Sequence, residues 1–288
     1  MAGNPAAQTA FGPMMLAAVE HLEPPERRLV DDDLAASFLP ARVRWMVAAL
    51  RPALLRGWFI AAMERTGPGL WANLTCRKRF IADHLDEAAG DIDAVVILGA
   101  GMDTLGCRTA RNSRIPIFEV DQPVNIARKA GAARRVLGAL PPSVRLVALD
   151  FERDDLLTTL AEHGYQTSFR TFFVWEGVTQ YLTEQAVHAT LTGLRAAAPG
   201  SRLAFTYVRR DFIDGTNRYG SPTLYRRVVN KLWHFGLRTE EVAEFLAGYG
   251  WRLIEQAGAQ QLLARYVEPA GRKLATSDLE WSAYAEKL

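Results

Sequence analysis

Four acidic residues follow four short, largely apolar runs in the middle of the chain. They are Asp103, Asp121, Asp150 and Glu176. The runs are rich in β-branched and aromatic residues, which is typical of buried strands in a parallel sheet. Ligands bind outside the carboxyl ends of such strands, so the pattern predicts that four carboxylates line one binding site.

The first acid lies in a glycine turn between a strand and a helix. Gly99, Ala100 and Gly101 form the turn, which permits a ligand to approach the backbone closely. The dinucleotide fingerprint needs a third glycine where this chain has Thr104, and Asp103 would repel a pyrophosphate at the helix N-terminus. A cofactor that carries positive charge fits this turn better. The alternative is a tight turn in which Asp103 only caps the helix.

The other three acids suit the parts of a nucleoside. Asp121 lies 22 residues after Gly99, a spacing that suits a carboxylate accepting both hydroxyls of a ribose. Asp150, followed by Phe151, could accept a hydrogen bond from an adenine amino group while the aromatic ring covers one face of the base. Each aspartate could instead cap the helix that follows it. Glu176 has apolar neighbours, so we expect it to pair with an arginine or to receive a cationic or hydroxyl-bearing ligand.

A basic segment, Cys76–Phe80, precedes the first strand. An arginine in this segment could reach over the edge of the sheet and hold a carboxylate through two parallel hydrogen bonds. The chemistry alone favours the alternative, a solvated basic face of a helix.

Strands and helices alternate from Ala94 to Val208, which is the pattern of βαβ units. Beyond the four apolar runs, this region contains a fifth predicted strand, Arg202–Val208. Its helices are predicted near residues 102–111, 123–138, 153–163 and 183–197. These elements predict a parallel sheet with helices on both faces.

The end of the chain is predicted to add an antiparallel pair of strands. A helix over Thr239–Gly248 precedes strands at Trp251–Glu255 and Leu262–Val267, joined by a hairpin at Gln256–Gln261. The predicted fold class is therefore α/β, a doubly wound sheet of seven strands.

Two further segments are predicted to cover the carboxyl edge of the sheet. Residues 1–90 show helical patterns broken by prolines and glycines, and form a helical N-terminal cap. Residues 91–288 form the core domain. Within it, residues 209–237 are too long for an ordinary connection and are predicted to be a lid.

The bulk composition excludes several classes of protein. A net charge of +2 over 288 residues argues against a nucleic-acid partner. Two cysteines support neither a disulfide framework nor a cysteine zinc site, so we expect no metal and a cytoplasmic setting. The longest apolar stretch, Ala41–Met63, is interrupted by arginines and a proline, which argues against a membrane span. We expect a bent pair of helices that packs on the core, with a cationic amphipathic surface helix as the alternative. We expect a monomer or a homodimer.

Four motifs together resemble a known family. They are Cys76–Phe80, Leu98–Thr104, Phe118–Pro123 and Trp175–Leu182. The set is similar to the leucine carboxyl methyltransferase family, and most closely to its bacterial small-molecule branch, which includes polyketide O-methyltransferases. The resemblance runs from about residue 68 to residue 208, and the segment Glu280–Lys287 is also similar to the family. It implies a Rossmann-like methyltransferase fold and an O-methyltransferase that uses S-adenosyl-L-methionine and releases S-adenosyl-L-homocysteine.

The resemblance also implies roles for individual residues. Arg77 would hold the carboxylate of the cofactor, Asp121 its ribose, and Glu176 the region of its ammonium and sulfonium groups. Lys78 and Ala82 depart from the family pattern, in which threonine and an acid are frequent at those positions. The positions assigned to cofactor binding are Arg77, Gly99, Ala100, Gly101, Asp103, Asp121, Gln122, Asp150, Phe151 and Glu176.

The acceptor of the methyl group is less defined than the cofactor. A carboxylate acceptor is already ionised at neutral pH, whereas a phenol or alcohol needs a general base. His234 and Tyr181 are the candidate catalytic residues, although packing or a surface position explains His234 as well. The candidate substrate contacts are Tyr181, Tyr207, Arg209, Arg210, Tyr219, Tyr225 and Trp233. Their aromatic rings suit a flat or apolar small molecule, and their arginines suit an acidic one.

Two other functions compete with methyl transfer. A nicotinamide-dependent oxidoreductase could use the same class of sheet, but the third glycine of the fingerprint is absent. A protein that binds the cofactor without transferring its methyl group is the second alternative. All the residues assigned with some support lie on the cofactor side, so the sequence does not separate this alternative from an active enzyme.

Overall fold

A computed structural model describes residues 11–229 and 231–288 of the chain. The first ten residues of the predicted cap and Asn230 of the predicted lid lie outside the described residues.

The centre of the fold is a sheet of seven strands. In chain order the strands β1 to β7 are Ala94–Leu98, Ile117–Asp121, Val144–Ala148, Thr171–Trp175, Arg202–Val208, Trp251–Ala257 and Glu280–Lys287. Their order across the sheet is β3-β2-β1-β4-β5-β7-β6. The first five strands pair in parallel, and β7 runs antiparallel between β5 and β6. This arrangement confirms the predicted doubly wound, seven-stranded α/β fold.

The direction in which successive strands are added to the sheet changes at β1. Strand β2 lies on one side of β1 and β4 lies on the other, so the segments that follow β1 and β4 diverge above the sheet edge. Every residue of β1, β2 and β4 is buried, as expected for largely apolar runs in a parallel sheet. A crevice therefore opens at the carboxyl ends of these strands.

The predicted position of the last strand is wrong. Leu262–Val267 is helical, because Ala259–Leu262 forms an α-turn and Leu263–Val267 continues as a π-helix. Leu262, Tyr266 and Val267 are buried and fall on one side of this helix, where they pack with the core beneath the sheet. A short apolar run fits a strand and a buried helix equally well. The antiparallel partner of β6 is instead Glu280–Lys287, after a long connection rather than a hairpin.

Helices cover both faces of the sheet. The α-helices are Phe11–Glu20, Ala35–Phe38, Ala41–Ala49, Ala53–Thr66, Leu70–Ala88, Leu105–Asn112, Pro123–Leu137, Leu156–Glu162, Glu184–Gly193, Arg210–Ile213, Pro222–Val228, Val242–Ala247 and Ala259–Leu262. The helix predicted near Thr239 begins with a 3₁₀ turn, Thr239–Glu241. The helix Leu70–Ala88 buries twelve of its residues and packs directly on the core of the sheet.

A buried polar cluster joins the N-terminal helices to the C-terminal part of the chain. The Glu20 carboxylate accepts hydrogen bonds from Arg272 at 3.0 Å and from the indole of Trp71 at 2.6 Å. All three side chains are buried, and each buried charge therefore has a partner of opposite sign.

Two N-terminal helices are attached loosely. Ala41–Ala49 buries only Val47, and Ala53–Thr66 buries only Arg56 and Ile60. No single helix in the described residues has the length and apolar character needed to cross a membrane. These two helices reach those limits only together, and they meet at a bend of 114°.

Candidate functional site

A cavity of about 300 Å³ opens at the carboxyl ends of β1, β2 and β4. Its charged lining residues are Arg77, Lys78, Asp103, Asp121, Glu176 and Glu280. These are four carboxylates and two cations, so the wall carries an excess of two negative charges. Most of the remaining wall is apolar. The cavity therefore has one charged end and a largely hydrocarbon surface elsewhere.

The glycine turn forms part of the cavity floor. Gly99 and Gly101 have positive φ angles of 71° and 48°, a conformation that side-chain-bearing residues rarely adopt. A Cβ at Gly99 would also collide with the side chain of Val178. The amides of Gly99 and Ala100 both donate to the Val120 carbonyl, at 2.8 and 2.9 Å. The turn thus presents bare backbone to the cavity.

Asp103 has two structural partners at the start of the next helix. One carboxylate oxygen accepts a hydrogen bond of 2.6 Å from the Leu105 amide, which caps the helix. The other oxygen pairs with the Lys78 ammonium. Burial opposes ionisation of Asp103, but Lys78 outweighs it and holds the pKa of this carboxyl below its usual range. Asp103 is therefore both a helix cap and part of an ion cluster.

Lys78 also lies 3.2 Å from Glu176, so it bridges two of the four acids. Burial disfavours its positive charge, yet Asp103 and Glu176 together raise the pKa of Lys78 above its usual value. The lysine is thus held as an ammonium ion inside the site.

Arg77 is the second cation of the cluster. Its Nε donates to Glu176 at 2.9 Å, and its Nη1 lies 2.7 and 2.6 Å from the two oxygens of Glu280. Burial lowers the pKa of Arg77, but these two carboxylates raise it above its usual value. A Cβ at Gly177 would lie 2.7 Å from the guanidinium, so the glycine makes room for it. Two protein carboxylates therefore occupy Nε and Nη1 of the arginine that was predicted to bind a ligand carboxylate.

Asp121 ends β2 and already accepts three hydrogen bonds. Its donors are the Gly101 amide at 2.6 Å, the Gln122 amide at 2.6 Å and the Asn125 side chain at 2.8 Å. A carboxylate offers about four acceptor positions. Asp121 therefore has room for one more donor, not for the two ribose hydroxyls expected from the spacing, unless one of these bonds is exchanged.

The neighbouring residues Asp150 and Phe151 differ in their position relative to the cavity. Phe151 lines the cavity, as do Gln122 and the glycine turn, whereas Asp150 is not among the lining residues. The Asp150 carboxylate instead accepts from the Glu152 amide at 3.1 Å, in the local turn that the sequence offered as its alternative. Phe151 thus offers an aromatic ring to the cavity, whereas the Asp150 carboxylate, which was predicted to bind adenine, makes local contacts.

Of the seven predicted substrate contacts, two lie in the cavity wall. Tyr181 and Trp233 meet edge to face, with ring centres 6.2 Å apart. Within the described part of the chain, the other predicted residues do not line the cavity: they are Tyr207, Arg209, Arg210, Tyr219, Tyr225 and His234.

Each of these displaced residues has a local partner or a surface position. The hydroxyl of Tyr207 donates to Gln256 at 2.6 Å, and that of Tyr219 donates to Asp211 at 2.6 Å. Arg209 lies 3.6 Å from the same aspartate. The His234 side chain is exposed, although its backbone amide donates to the Gln180 carbonyl at 2.7 Å. Asp211 therefore holds two of the predicted substrate contacts, Arg209 and Tyr219, in contacts within the segment 209–237.

Sequence reasoning missed several residues of the wall. Glu280 reaches the site because β7 is antiparallel to β5 and pairs Glu280 with Val208 at the carboxyl end of β5. An acidic residue at the amino end of an antiparallel strand therefore lies at the same edge of the sheet as an acidic residue that follows a parallel strand. Leu74 and Leu70 lie in the wall one and two turns before Arg77 on the same helix, and Met14 comes from the first helix. No pattern in these apolar positions distinguishes them from ordinary core residues.

Comparison with known proteins gives a family match. The sequence model for leucine carboxyl methyltransferase matches residues 10–195. A predicted S-adenosyl-L-methionine-dependent methyltransferase of Mycobacterium avium is 33% identical over 201 residues, 65% of this chain and 65% of the relative. A predicted methyltransferase of the same kind from Streptomyces coelicolor is 29% identical over 233 residues, 73% of this chain and 80% of that protein. The chain thus spans about 65% of the length of the mycobacterial relative that it matches.

The fold has counterparts among solved structures. One is the crystal structure of a predicted sarcosine dimethylglycine methyltransferase from Galdieria sulphuraria, with a TM-score of 0.51 and 13% identity, covering 75% of this chain and 88% of that one. At this identity the likeness concerns the fold alone. The sequence relatives use S-adenosyl-L-methionine, which is the cofactor of this group of proteins.

Proposed function

Because the chain belongs to the leucine carboxyl methyltransferase family, we propose that it transfers a methyl group from S-adenosyl-L-methionine to an oxygen of a small, largely apolar molecule. The acceptor oxygen belongs to a carboxylate or a hydroxyl, and the acceptor is a polyketide-like or other secondary metabolite. The observation that carries the proposal is the cavity itself, which combines an acidic end with a hydrocarbon wall.

The charges of the cavity suit this cofactor. S-adenosyl-L-methionine carries a sulfonium, an ammonium and a carboxylate, a net charge of one positive unit. The excess of two negative charges in the wall favours it over a pyrophosphate-bearing dinucleotide, which is anionic. The bare backbone at Gly99–Gly101 lets the methionine part approach closely, and Phe151 covers a flat ring. These features support the cofactor assignment over the nicotinamide alternative.

The residues of the ion cluster hold the two ends of the amino-acid part. Arg77 receives the ligand carboxylate in exchange for Glu280, and Glu176 remains to face the ammonium and sulfonium groups. Asp121 takes one ribose hydroxyl with its remaining acceptor position. These roles come from the family resemblance, and all three side chains line the cavity, which supports them.

When bound, the cofactor supplies a methyl group on a positively charged sulfur. The chain has to hold an acceptor oxygen about 3 Å from that methyl group, in line with the breaking bond, and to remove water from it. Tyr181 and Trp233, with the leucines of the wall, provide the apolar surface for the acceptor. Tyr181 also brings a hydroxyl group to this part of the wall.

The two kinds of acceptor make different demands on the site. A carboxylate needs no base, and no histidine lines the cavity within residues 11–229 and 231–288. A hydroxyl must lose a proton, which a carboxylate of the ion cluster would have to receive. The absence of an orienting histidine among the described wall residues supports the carboxylate over the hydroxyl.

Two measurements test the proposal. Isothermal titration calorimetry should give heat of binding with S-adenosyl-L-methionine and none with a nicotinamide dinucleotide, and the opposite result would refute it. Incubation of the protein with methyl-labelled cofactor and an apolar cell extract should then place label in the extract. Cofactor binding without transfer to any fraction would favour the alternative of a binding protein. Mild base releases the label from an ester but not from an ether, which identifies the acceptor oxygen.

A further inference from the structure

The surface with the most exposed apolar side chains lies away from the cavity wall described above, on the helices Ala41–Ala49 and Ala53–Thr66. Six of the nine large apolar side chains exposed in the described part of the chain belong to this helix pair. They are Trp45, Met46, Leu54, Leu55, Trp58 and Met63. Trp45 and Trp58 are 77% and 74% exposed, although large aromatic side chains are usually well buried.

The charges of the helix pair are almost all positive. Arg42, Arg44, Arg51 and Arg65 have no acidic partner within the described residues. The one acid of the pair, Glu64, turns inward and accepts from the backbone amides of the next helix. The exposed surface of the pair therefore combines indole rings, aliphatic side chains and unpaired guanidinium groups.

We propose that this helix pair docks the protein on the surface of an anionic lipid bilayer. Tryptophan favours the interface between hydrocarbon and water, and arginine favours the negative surface of acidic lipids. The sharp bend between the helices leaves neither one able to cross the bilayer, but two axes that meet at a short break can both lie along its surface. A second copy of the chain is a poorer occupant, because a twofold contact would bring the same arginines together.

The helix pair buries few of its residues against the rest of the chain, as expected if a partner covers its outer surface. The fourteen-residue helix Ala53–Thr66 buries two residues against the rest of the chain, and a cavity of about 650 Å³ lies along its inner side. A helix of this length has little stability without a packed face. It leads through residues 67–69 directly into Leu70–Ala88, the helix that carries Arg77 and Lys78.

The test is sedimentation of the full chain with lipid vesicles. The protein should sediment with vesicles of phosphatidylglycerol and phosphatidylcholine in equal amounts, and not with phosphatidylcholine alone. Added salt should release it. The double variant Arg42→Gln/Arg51→Gln should lower the vesicle partition coefficient by about 25-fold, since each basic residue at the surface contributes about fivefold. Trp45→Gln/Trp58→Gln should abolish sedimentation at the same lipid concentration.

Two controls make the result specific. Arg114→Gln/Arg226→Gln removes the same charge from exposed positions outside the pair, and Ile254→Gln removes an exposed apolar side chain from β6. Both should bind vesicles like the wild type, and circular dichroism should show that all variants are folded. Failure of the wild type to bind, or equal loss in variants and controls, overturns the proposal. So does a dimer in sedimentation equilibrium that the tryptophan variant dissociates, because a second copy then covers the surface.

Discussion

Nη1 of Arg77 lies 2.7 and 2.6 Å from the two carboxylate oxygens of Glu280, although 203 residues separate them in the chain. Under the proposed function, in which this guanidinium group receives the ligand carboxylate, Glu280 competes with the cofactor for it.

Removing this competitor should strengthen cofactor binding. We expect Glu280→Gln to raise the affinity for S-adenosyl-L-methionine by about tenfold, or about 1.4 kcal/mol, the value of one hydrogen bond to a charged group. Calorimetry measures the change. The matched ligand is 5′-methylthioadenosine, which has no amino-acid part and should bind both proteins equally. A weaker affinity of the variant for the full cofactor would instead place Glu280 on the ammonium group.

Loss of the bridging lysine should destabilise the fold. Lys78→Met leaves Asp103 and Glu176 with one cation fewer in a buried site, and we expect the free energy of unfolding to fall by about 3 kcal/mol. Urea denaturation measures it. Arg79→Met, which removes a charge from the exposed neighbouring position, should cost less than about 1 kcal/mol.

The cost of Lys78→Met should depend on pH in a defined direction. The lowered pKa of Asp103 gives stability that is present above its ordinary value of 3.8 and lost in acid. The raised pKa of Lys78 gives stability that is present below its ordinary value of 10.5 and lost in base. The difference between wild type and variant should therefore be largest between these two pH values. A difference that stays constant into acid would contradict the pairing.

Asp121 should matter for the cofactor and Asp150 should not. Asp121→Ala removes the remaining acceptor position and the carboxylate that orders the Gly101 amide, so we expect cofactor affinity to fall at least tenfold, about 1.4 kcal/mol. Asp150→Ala changes a carboxylate outside the cavity wall and should leave affinity within about twofold. Thermal unfolding of both variants separates lost binding from lost folding. Equal losses in both would support the original adenine role of Asp150.

Neither cysteine should react in the native protein. Burial raises the pKa of both Cys76 and Cys107 to about 12, so the thiolate that reacts with disulfide reagents is scarce at pH 8. A chromogenic disulfide reagent should titrate no thiol in the folded chain and two after denaturation. Rapid reaction of one thiol in the folded chain would mean that its helix opens locally.

The sequence was sufficient for the parallel half of the sheet. β1, β2, β4 and β5 are largely apolar runs, and the acids at the ends of β1, β2 and β4 reach the crevice because parallel strands end at one edge. Asp150 did not follow, because an exposed turn residue can satisfy its carboxylate with nearby amides.

The antiparallel half was harder to predict. Glu280–Lys287 alternates small, aromatic and charged residues, and its strand state depends on β5 and β6 on either side. The segment 209–237 was predicted to supply seven substrate or catalytic candidates together with its flanking residues, yet its polar side chains mostly bond within the segment. Such pairs depend on distances in the folded chain, which cannot be predicted from the spacing of residues along the sequence.

The ion cluster draws its members from a helix near residue 77, two turns near residues 103 and 176, and a strand near residue 280. Glu280 joins the cluster only where β7 pairs with β5, so the complete set of charges requires contacts between segments that are distant along the chain. Because contacts of large sequence separation carry a high cost of loop closure, we expect the complete cluster to form late in folding. Cofactor binding followed during refolding tests this expectation, and a binding signal that precedes the pairing of β5 with β7 would contradict it.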